Sequence, residues 1–294
     1  MKIKKRSVKK KYVKAKVRSG HRSVDPKLEN KVAKKVVKKV IKEEFMKTGI
    51  PGMDSLLGEG IPTGSSVLIE GGPGNGKTIM ALSLIKSLCA QGKKVLYMSF
   101  EEPEDRLRMH LKSFGVDAEK HEKNGNLYLR RFNALDIARS VEALLSEAKK
   151  ELLIDVQPIL IPKEYHPDVV LIDSLSSISS AFSGESSRFR IYMEQLFRYL
   201  ESNKITSFLI REVSNPTHVG TTYFESGEAV SFLSDGIVIL YNVFQKNGVR
   251  KRALEILKLR GVNIKRRIVE FDIKKGKGLI VYPEKILKGD YSLT

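Results

Sequence analysis

Apolar residues along this chain occur in short runs that alternate with stretches of helical periodicity. SSVLIE (65–70) and KVLYMSF (94–100) have the length and composition of strands, and residues 77–90 follow the first run with helical spacing. VVLIDS (169–174) and SFLIREV (207–213) are apolar almost throughout, which is typical of strands that are covered on both faces. This alternation predicts a mostly parallel sheet with helices on both sides.

The pattern changes near the end of the chain, where four β-rich runs follow one another with short gaps such as KGKG. They are GIVILYNVF (236–244), RALEILKLR (252–260), IVEFDI (268–273) and GLIVYP (278–283). Gaps this short predict antiparallel hairpins, which would close one edge of the parallel sheet. The expected fold class is therefore α/β, with antiparallel hairpins at the C-terminal edge.

The positive charge of the chain is concentrated at its amino end. Residues 1–44 hold 18 Lys or Arg against four acidic residues, a net charge of +14, so the rest of the chain carries only +5 of the total +19. After Asp25-Pro26 an apolar stripe with helical spacing predicts a basic amphipathic helix, formed by Val32, Val36, Val37, Val40 and Ile41. The stripe could pack on a neighbouring domain. Alternatively, the extension could bind the phosphate backbone of nucleic acid, an anionic membrane or an acidic protein.

Composition excludes a membrane-spanning protein and favours the cytoplasm. No apolar run reaches the 18 or so residues that a membrane span needs, and the basic amino end lacks the apolar stretch of a secretory signal. The one cysteine, Cys89, cannot form an internal disulfide and lies in an apolar pattern that predicts burial.

The segment GGPGNGKT matches the phosphate-binding pattern G-x-x-x-x-G-K-[ST], with a predicted strand before it and a predicted helix after it. Its glycines allow the backbone N–H groups and the helix amino end to approach a polyphosphate closely. The Lys ammonium would contact the β- and γ-phosphates, and the Thr hydroxyl would help to hold Mg²⁺. The expected ATP-binding residues are Gly71, Gly72, Pro73, Gly74, Asn75, Gly76, Lys77 and Thr78.

A second metal ligand is expected at Asp173. It ends the apolar run VVLI, and the carboxyl end of a central parallel strand lies beside the phosphate loop in such sheets. Asp173 and Thr78 would hold the Mg²⁺ that accompanies ATP.

With these elements placed, the wider sequence resembles the KaiC family within the RecA superfamily, and in particular its single-domain, archaeal-type members. TGIPGMDSLLGEGIPTGS, directly before the glycine loop, carries most of the resemblance, which runs from residue 48 to Pro283. It implies a RecA-like P-loop core in an ATPase domain over residues 46–284, with the basic extension (1–45) before it and a tail (285–294) after it. It also implies a slow ATP hydrolase that acts as a nucleotide-dependent switch in a homo-oligomer, a hexamer with ATP at the subunit interfaces.

The resemblance implies further catalytic residues. In this family an acid at the end of the second strand polarises the attacking water, and that position carries the pair Glu101 and Glu102. A carboxylate across the γ-phosphate from Lys77 suits this role, and the sequence leaves open which of the two acts. The family also places a Lys and an Arg against the γ-phosphate of a neighbouring subunit, and LKLRG supplies Lys258 and Arg260.

Two departures from the family pattern concern charge and phosphorylation. The strand after Asp173 ends in Arg211-Glu212, so that Arg211 could sense nucleotide or pair with Glu212. The two adjacent hydroxyl residues that are phosphorylated in the clock proteins correspond here to Ser231-Phe232, and one acceptor is not enough to imply a clock. Two other functions stay open: a nucleic-acid-binding accessory resembling RadA paralogues, and an ATP-binding scaffold without hydrolysis.

Overall fold

A computed structural model of the chain describes residues 44–148, 161–162, 164–182, 186–213, 228–246 and 248–293. The basic extension and the amphipathic helix predicted after Asp25-Pro26 lie outside these residues. Within them, no helix is long and apolar enough to cross a bilayer.

The central element is a mixed sheet of ten strands. Six parallel strands follow one another in the spatial order β8-β3-β7-β6-β4-β5. Their bounds are β3 (Ser66–Gly71), β4 (Val95–Ser99), β5 (Leu127–Arg131), β6 (Val169–Asp173), β7 (Thr206–Glu212) and β8 (Gly236–Gln245). Because these strands run in one direction, the carboxyl ends of β3, β4, β6 and β7 meet at one edge of the sheet.

Strand β8 joins the parallel part of the sheet to an antiparallel extension. It pairs in parallel with β3 on one side and antiparallel with β9 on the other. The remaining strands are β9 (Arg250–Leu259), β10 (Val269–Lys274), β11 (Gly278–Ile286) and β12 (Tyr291–Leu293), of which β12 pairs with the carboxyl end of β8. A separate two-stranded sheet consists of β1 (Phe45–Met46) and β2 (Ile61–Pro62). The mostly parallel sheet with antiparallel strands at its C-terminal edge confirms the predicted fold class.

Helices cover both faces of the parallel strands, which explains why these strands are apolar almost throughout. One face packs against α1 (Lys77–Ala90), α2 (Glu104–Ser113) and α3 (Ala118–Lys123). The other packs against α4 (Ala134–Ala148), α5 (Leu175–Ala181), α6 (Ser186–Ser202) and α7 (Glu228–Leu233). Cys89 of α1 is buried between that helix and the first of these two faces. This burial raises the pKa of its thiol to about 12.

Several boundaries differ by a residue or two from those read off the sequence, whereas α1 begins and ends where it was predicted. Four helices, α3, α5, α6 and α7, were not predicted from the sequence. Part of the expected tail is regular structure, because β11 continues to Ile286 and residues 291–293 form β12.

Candidate functional site

The glycine loop connects β3 to α1 at the carboxyl edge of the sheet. Gly76 precedes α1 with a φ of 97°, in the left-handed region that favours glycine. A Cβ on Gly71 would lie 2.6 Å from the carbonyl oxygen of Leu240 in β8, so only glycine fits this close approach. The loop therefore lies against β8 and directs the amino end of α1 towards the strand ends, as an anion site requires.

Asn75 ties the loop to the neighbouring strand. Its side-chain amide donates to the carbonyl oxygen of Leu240 at 2.7 Å, and its own side-chain oxygen accepts from the amide of Asn242. Both partners belong to β8. These bonds fix the loop conformation from outside the loop.

Lys77 is nearly buried, with 6 % of its surface exposed, although lysine is seldom buried without a partner. Its Nζ donates to the carbonyl oxygen of Gly72 at 2.8 Å and lies 3.6 Å from Oε1 of Glu212. Glu212 ends β7, which neighbours β3. A phosphate placed at the loop would offer this ammonium a full negative charge.

Asp173 lies where the sequence predicted it, at the carboxyl end of β6. One of its oxygens, Oδ2, accepts from Oγ1 of Thr78 at 3.0 Å and from the hydroxyl of Tyr97 at 2.7 Å. Burial raises the pKa of the Asp173 carboxyl, and the carboxylates of Glu101 and Glu102 add to that rise. The two hydrogen bonds act in the opposite direction and favour the ionised form.

The Thr78 hydroxyl and the Asp173 carboxylate fit a magnesium ion that arrives with a nucleotide. Mg²⁺ takes oxygen ligands and is characteristically held by one or two protein groups together with phosphates and water. A neighbouring cation would stabilise the ionised form of this buried carboxylate and so oppose the rise in its pKa. Tyr97, whose pKa is raised well above its usual range by burial and by Asp173, stays protonated and continues to donate to Asp173.

The two glutamates after β4 face different partners. Oε1 of Glu101 accepts from the hydroxyls of Ser174 at 3.2 Å and Ser177 at 2.8 Å. Ser174 directly follows Asp173, and Ser177 lies in the first turn of α5. Oε2 of Glu102 lies 3.2 Å from Nδ1 of His110 in α2 but forms no hydrogen bond with it. The exposed Glu101 therefore belongs to the Asp173 side of the site, whereas Glu102 faces α2.

Lys258 and Arg260 are not part of the cluster around Lys77. Lys258 pairs with Ile237 near the start of β8, whereas Gly71 pairs with Leu240 three residues further along that strand. At about 3.3 Å per residue this separates them by about 10 Å along the strand axis, in the direction away from the phosphate loop. Of the predicted catalytic residues, Lys77, Glu101 and Glu102 thus lie at one edge of the sheet, and Lys258 and Arg260 lie towards the other.

Strand register brings a cationic residue, Arg252, opposite Asn242, the residue of β8 whose amide donates to Asn75 of the loop. Arg252 of β9 pairs with Asn242 and with Phe271 of β10, and Ile273 Cδ1 would lie 3.1 Å from a Cβ on Gly76. Arg252 Nε is buried and has no hydrogen-bond partner in the part of the chain that the structure describes. Only the register of β8, β9 and β10 reveals this proximity, so no local motif could have identified it.

Comparison with known proteins gives consistent matches. The family model for the KaiC ATPase matches residues 46–286. A UPF0273 protein of Pyrococcus horikoshii is 31 % identical over 249 residues, covering 83 % of this chain and 96 % of that protein. The circadian clock protein KaiC3 of Synechocystis is 29 % identical over 259 residues, but the match covers only 46 % of it. Among solved structures, a KaiC-like protein from Pyrococcus horikoshii superposes with a TM-score of 0.63 at 27 % identity, covering 82 % of this chain and 99 % of that one.

Proposed function

This chain belongs to the KaiC family of ATPases, and from that premise we propose that it hydrolyses Mg-ATP slowly, as a nucleotide-dependent switch in a homo-oligomer. The observation that carries the proposal is the meeting of Lys77, Thr78, Asp173 and Glu101 at the edge of the sheet where the parallel strands β3, β6 and β4 end. A cation, a metal-binding pair and an exposed carboxylate at one site are the groups that phosphoryl transfer to water requires.

Each residue of the site has a separate task in this proposal. Lys77 leaves the Gly72 carbonyl and Glu212 to contact the β- and γ-phosphates. Thr78 and Asp173 would hold Mg²⁺, and the chemistry the ion would supply is neutralisation of phosphate charge. Glu101, supported by Ser174 and Ser177, orients the attacking water and accepts its proton.

Glu101→Gln is expected to lower kcat by about a hundredfold, because the amide cannot accept the proton of the attacking water. Binding of ATP should persist, since Lys77 and the glycine loop are unchanged. Phosphate release at saturating Mg-ATP measures kcat, and titration with a fluorescent ATP analogue measures binding.

Glu102→Gln is the matched control for this prediction. It makes the same chemical change one residue away, at a carboxylate that faces His110, and should change kcat by less than about fivefold. Equal losses in the two variants would contradict the assignment of the water-activating role to Glu101. Full activity in both variants would show that neither glutamate activates the attacking water.

Hydrolysis requires a neighbour in this proposal, because the register of β8 and β9 separates the backbone of Lys258 from Gly71 by about 10 Å along the strand axis, and Arg260 continues in the same direction. Both could complete the site of the next subunit, as the family resemblance implies. The sites would then lie at subunit interfaces of a ring, for which we propose six subunits by analogy with the family.

Nucleic acid is a second candidate ligand, favoured by the net charge of +14 on residues 1–44. Deletion of residues 1–43 leaves Glu44, whose carbonyl accepts from Thr63, and should keep the ATPase domain intact. If the extension binds nucleic acid, the deletion will weaken binding of DNA or RNA and flatten its dependence on salt. The test is the affinity for DNA or RNA at several salt concentrations, measured with the full-length chain and with the deletion variant. An identical salt dependence in both would show that the extension does not bind nucleic acid.

A further inference from the structure

Strand β7 ends in two adjacent charged residues that contact two different groups. Arg211 pairs in register with Glu70 of β3, and Glu212 pairs with Gly71 at the start of the glycine loop. The Glu212 carboxylate lies 3.6 Å from Nζ of Lys77, and Nη1 of Arg211 lies 3.4 Å from Oε1 of Glu70. The end of β7 therefore contacts both the phosphate-binding lysine and the residue before the loop.

Glu70 and Arg211 form a buried ionic contact that includes a serine of α7. Glu70 is 1 % exposed, and a carboxylate this deeply buried requires cationic or hydrogen-bonding partners. Nη1 of Arg211 donates to Oγ of Ser231 at 2.7 Å, and that hydroxyl donates to Oε1 of Glu70 at 3.2 Å. The three side chains thereby tie α7 to the ends of β3 and β7.

The carboxyl end of α7 in turn holds Lys258 and Arg260. Nζ of Lys258 donates to the carbonyl oxygens of Ser231 at 3.2 Å and Ser234 at 2.5 Å. Nη2 of Arg260 donates to the carbonyl oxygen of Phe232 at 2.9 Å, and Nη1 lies 3.3 Å from Asp235. Basic side chains commonly bind the last carbonyls of a helix in this way, so their position follows the position of α7.

We propose that Glu70, Arg211 and Ser231 are positioning residues that couple the phosphate loop of one subunit to the contact made by its Lys258 and Arg260 with the next subunit. The inference rests on the proposed function, because it takes the phosphate loop as the ATP site and these two cations as the trans contact. A phosphate that draws Lys77 away from Glu212 changes the electrostatic environment of the end of β7. Arg211 transmits the resulting shift to Ser231, and α7 carries it to Lys258 and Arg260.

A fluorophore at residue 232 can report this movement. Phe232 is 66 % exposed, and its carbonyl oxygen is bound by Arg260, so the label would lie next to the trans contact. In Phe232→Cys the introduced thiol is the one that reacts, because Cys89 is buried and the pKa of its thiol is raised to about 12. Mg-ATP is expected to change the emission of the labelled full-length chain.

Ser231→Ala in the labelled background is the principal test. It removes the hydroxyl that joins α7 to Arg211 and Glu70 but leaves both charges in place. The emission change on addition of Mg-ATP should fall by at least about fivefold. The affinity for a fluorescent ATP analogue should stay within about twofold, because Ser231 lies outside the phosphate loop.

Two variants of Arg211 complete the test. Arg211→Gln should also lower the emission change by at least about fivefold, whereas Arg211→Lys, which keeps a cation beside Glu70, should retain part of it. Arg211→Gln removes a cation from beside buried Glu70 and so could prevent folding. In that case the Ser231→Ala result alone decides whether the coupling exists.

An unchanged response in Ser231→Ala would overturn the coupling, and so would a labelled chain that binds Mg-ATP without any change in emission. Failure of the labelled chain to bind ATP at all would be a different result, because the proposed function would then fail first.

Discussion

Replacement of Lys77 by alanine is expected to lower the rate of ATP hydrolysis by at least about a hundredfold, since it removes a preorganised charge from the phosphate site. Lys77 is 6 % exposed, and its ammonium already lies at the glycine loop, where it donates to the carbonyl oxygen of Gly72 and faces Glu212. Its loss also leaves the Glu212 carboxylate facing the bound polyphosphate without an intervening cation. Phosphate release at several Mg-ATP concentrations would show a fall in kcat together with weaker binding.

Lys86→Ala provides a matched control on the same helix. Lys86 donates two hydrogen bonds, to the carbonyl oxygens of Phe114 and Gly276, and belongs to none of the predicted site residues. Its replacement removes a lysine with comparable tertiary contacts and should leave hydrolysis close to that of the unaltered chain. Hydrolysis that survives in Lys77→Ala would reject the phosphate site, and an equal loss in Lys86→Ala would attribute the effect to the fold of α1.

The parts of the site that could be predicted from sequence are those that follow local rules. The glycine loop, Lys77 and Thr78 lie within eight consecutive residues, and the start of α1 at Lys77 follows from that motif. Asp173 could be placed because an apolar run that ends in an acid indicates the end of a buried strand. The antiparallel edge was also predictable from local sequence, because short gaps between successive strands leave little choice of pairing partner.

The parts that could not be predicted depend on which distant strands become neighbours. Glu70 and Ser231 are 161 residues apart in the chain, and nothing local marks either as the partner of the other. From the sequence, Arg211 is expected to sense nucleotide or to pair with Glu212. In the structure its neighbour Glu212 approaches Lys77 instead, and Arg211 contacts Glu70 and Ser231. Alternation along β7 explains this, because adjacent residues of a strand face opposite sides of the sheet.

Lys258 and Arg260 admit two interpretations that differ in where these side chains act. They could serve only as C-terminal caps of α7, which their hydrogen bonds to helix carbonyls would explain without any catalytic role. Alternatively, they cap α7 and also reach the γ-phosphate of the adjacent subunit. Burial lowers the pKa of the Lys258 ammonium, and the neighbouring Arg260 lowers it further. A lysine ammonium whose charged form is disfavoured by burial and by Arg260 would be stabilised by a phosphate brought to it.

Arg260→Ala is expected to lower hydrolysis by about a thousandfold if its guanidinium acts as an arginine finger. Mixing this variant with Lys77→Ala distinguishes action in trans from action within one subunit. An Arg260→Ala subunit has an intact phosphate loop, and a Lys77→Ala subunit has an intact Arg260. Where the two adjoin in the right order, one complete site forms at their interface.

In a head-to-tail ring each site combines the loop of one subunit with Arg260 of the next. In an equal mixture about half of the loops and about half of the Arg260 positions are intact, so random assembly should restore about a quarter of the sites. The rate of the co-assembled mixture should therefore exceed that of either variant alone, and it should fall again when one variant is in large excess. Arg266→Ala, at an exposed position in the same β9–β10 connection, is the control and should leave hydrolysis unchanged. A mixture no faster than its components would place Arg260 within its own subunit as a helix cap and would remove the main argument for ATP at a subunit interface.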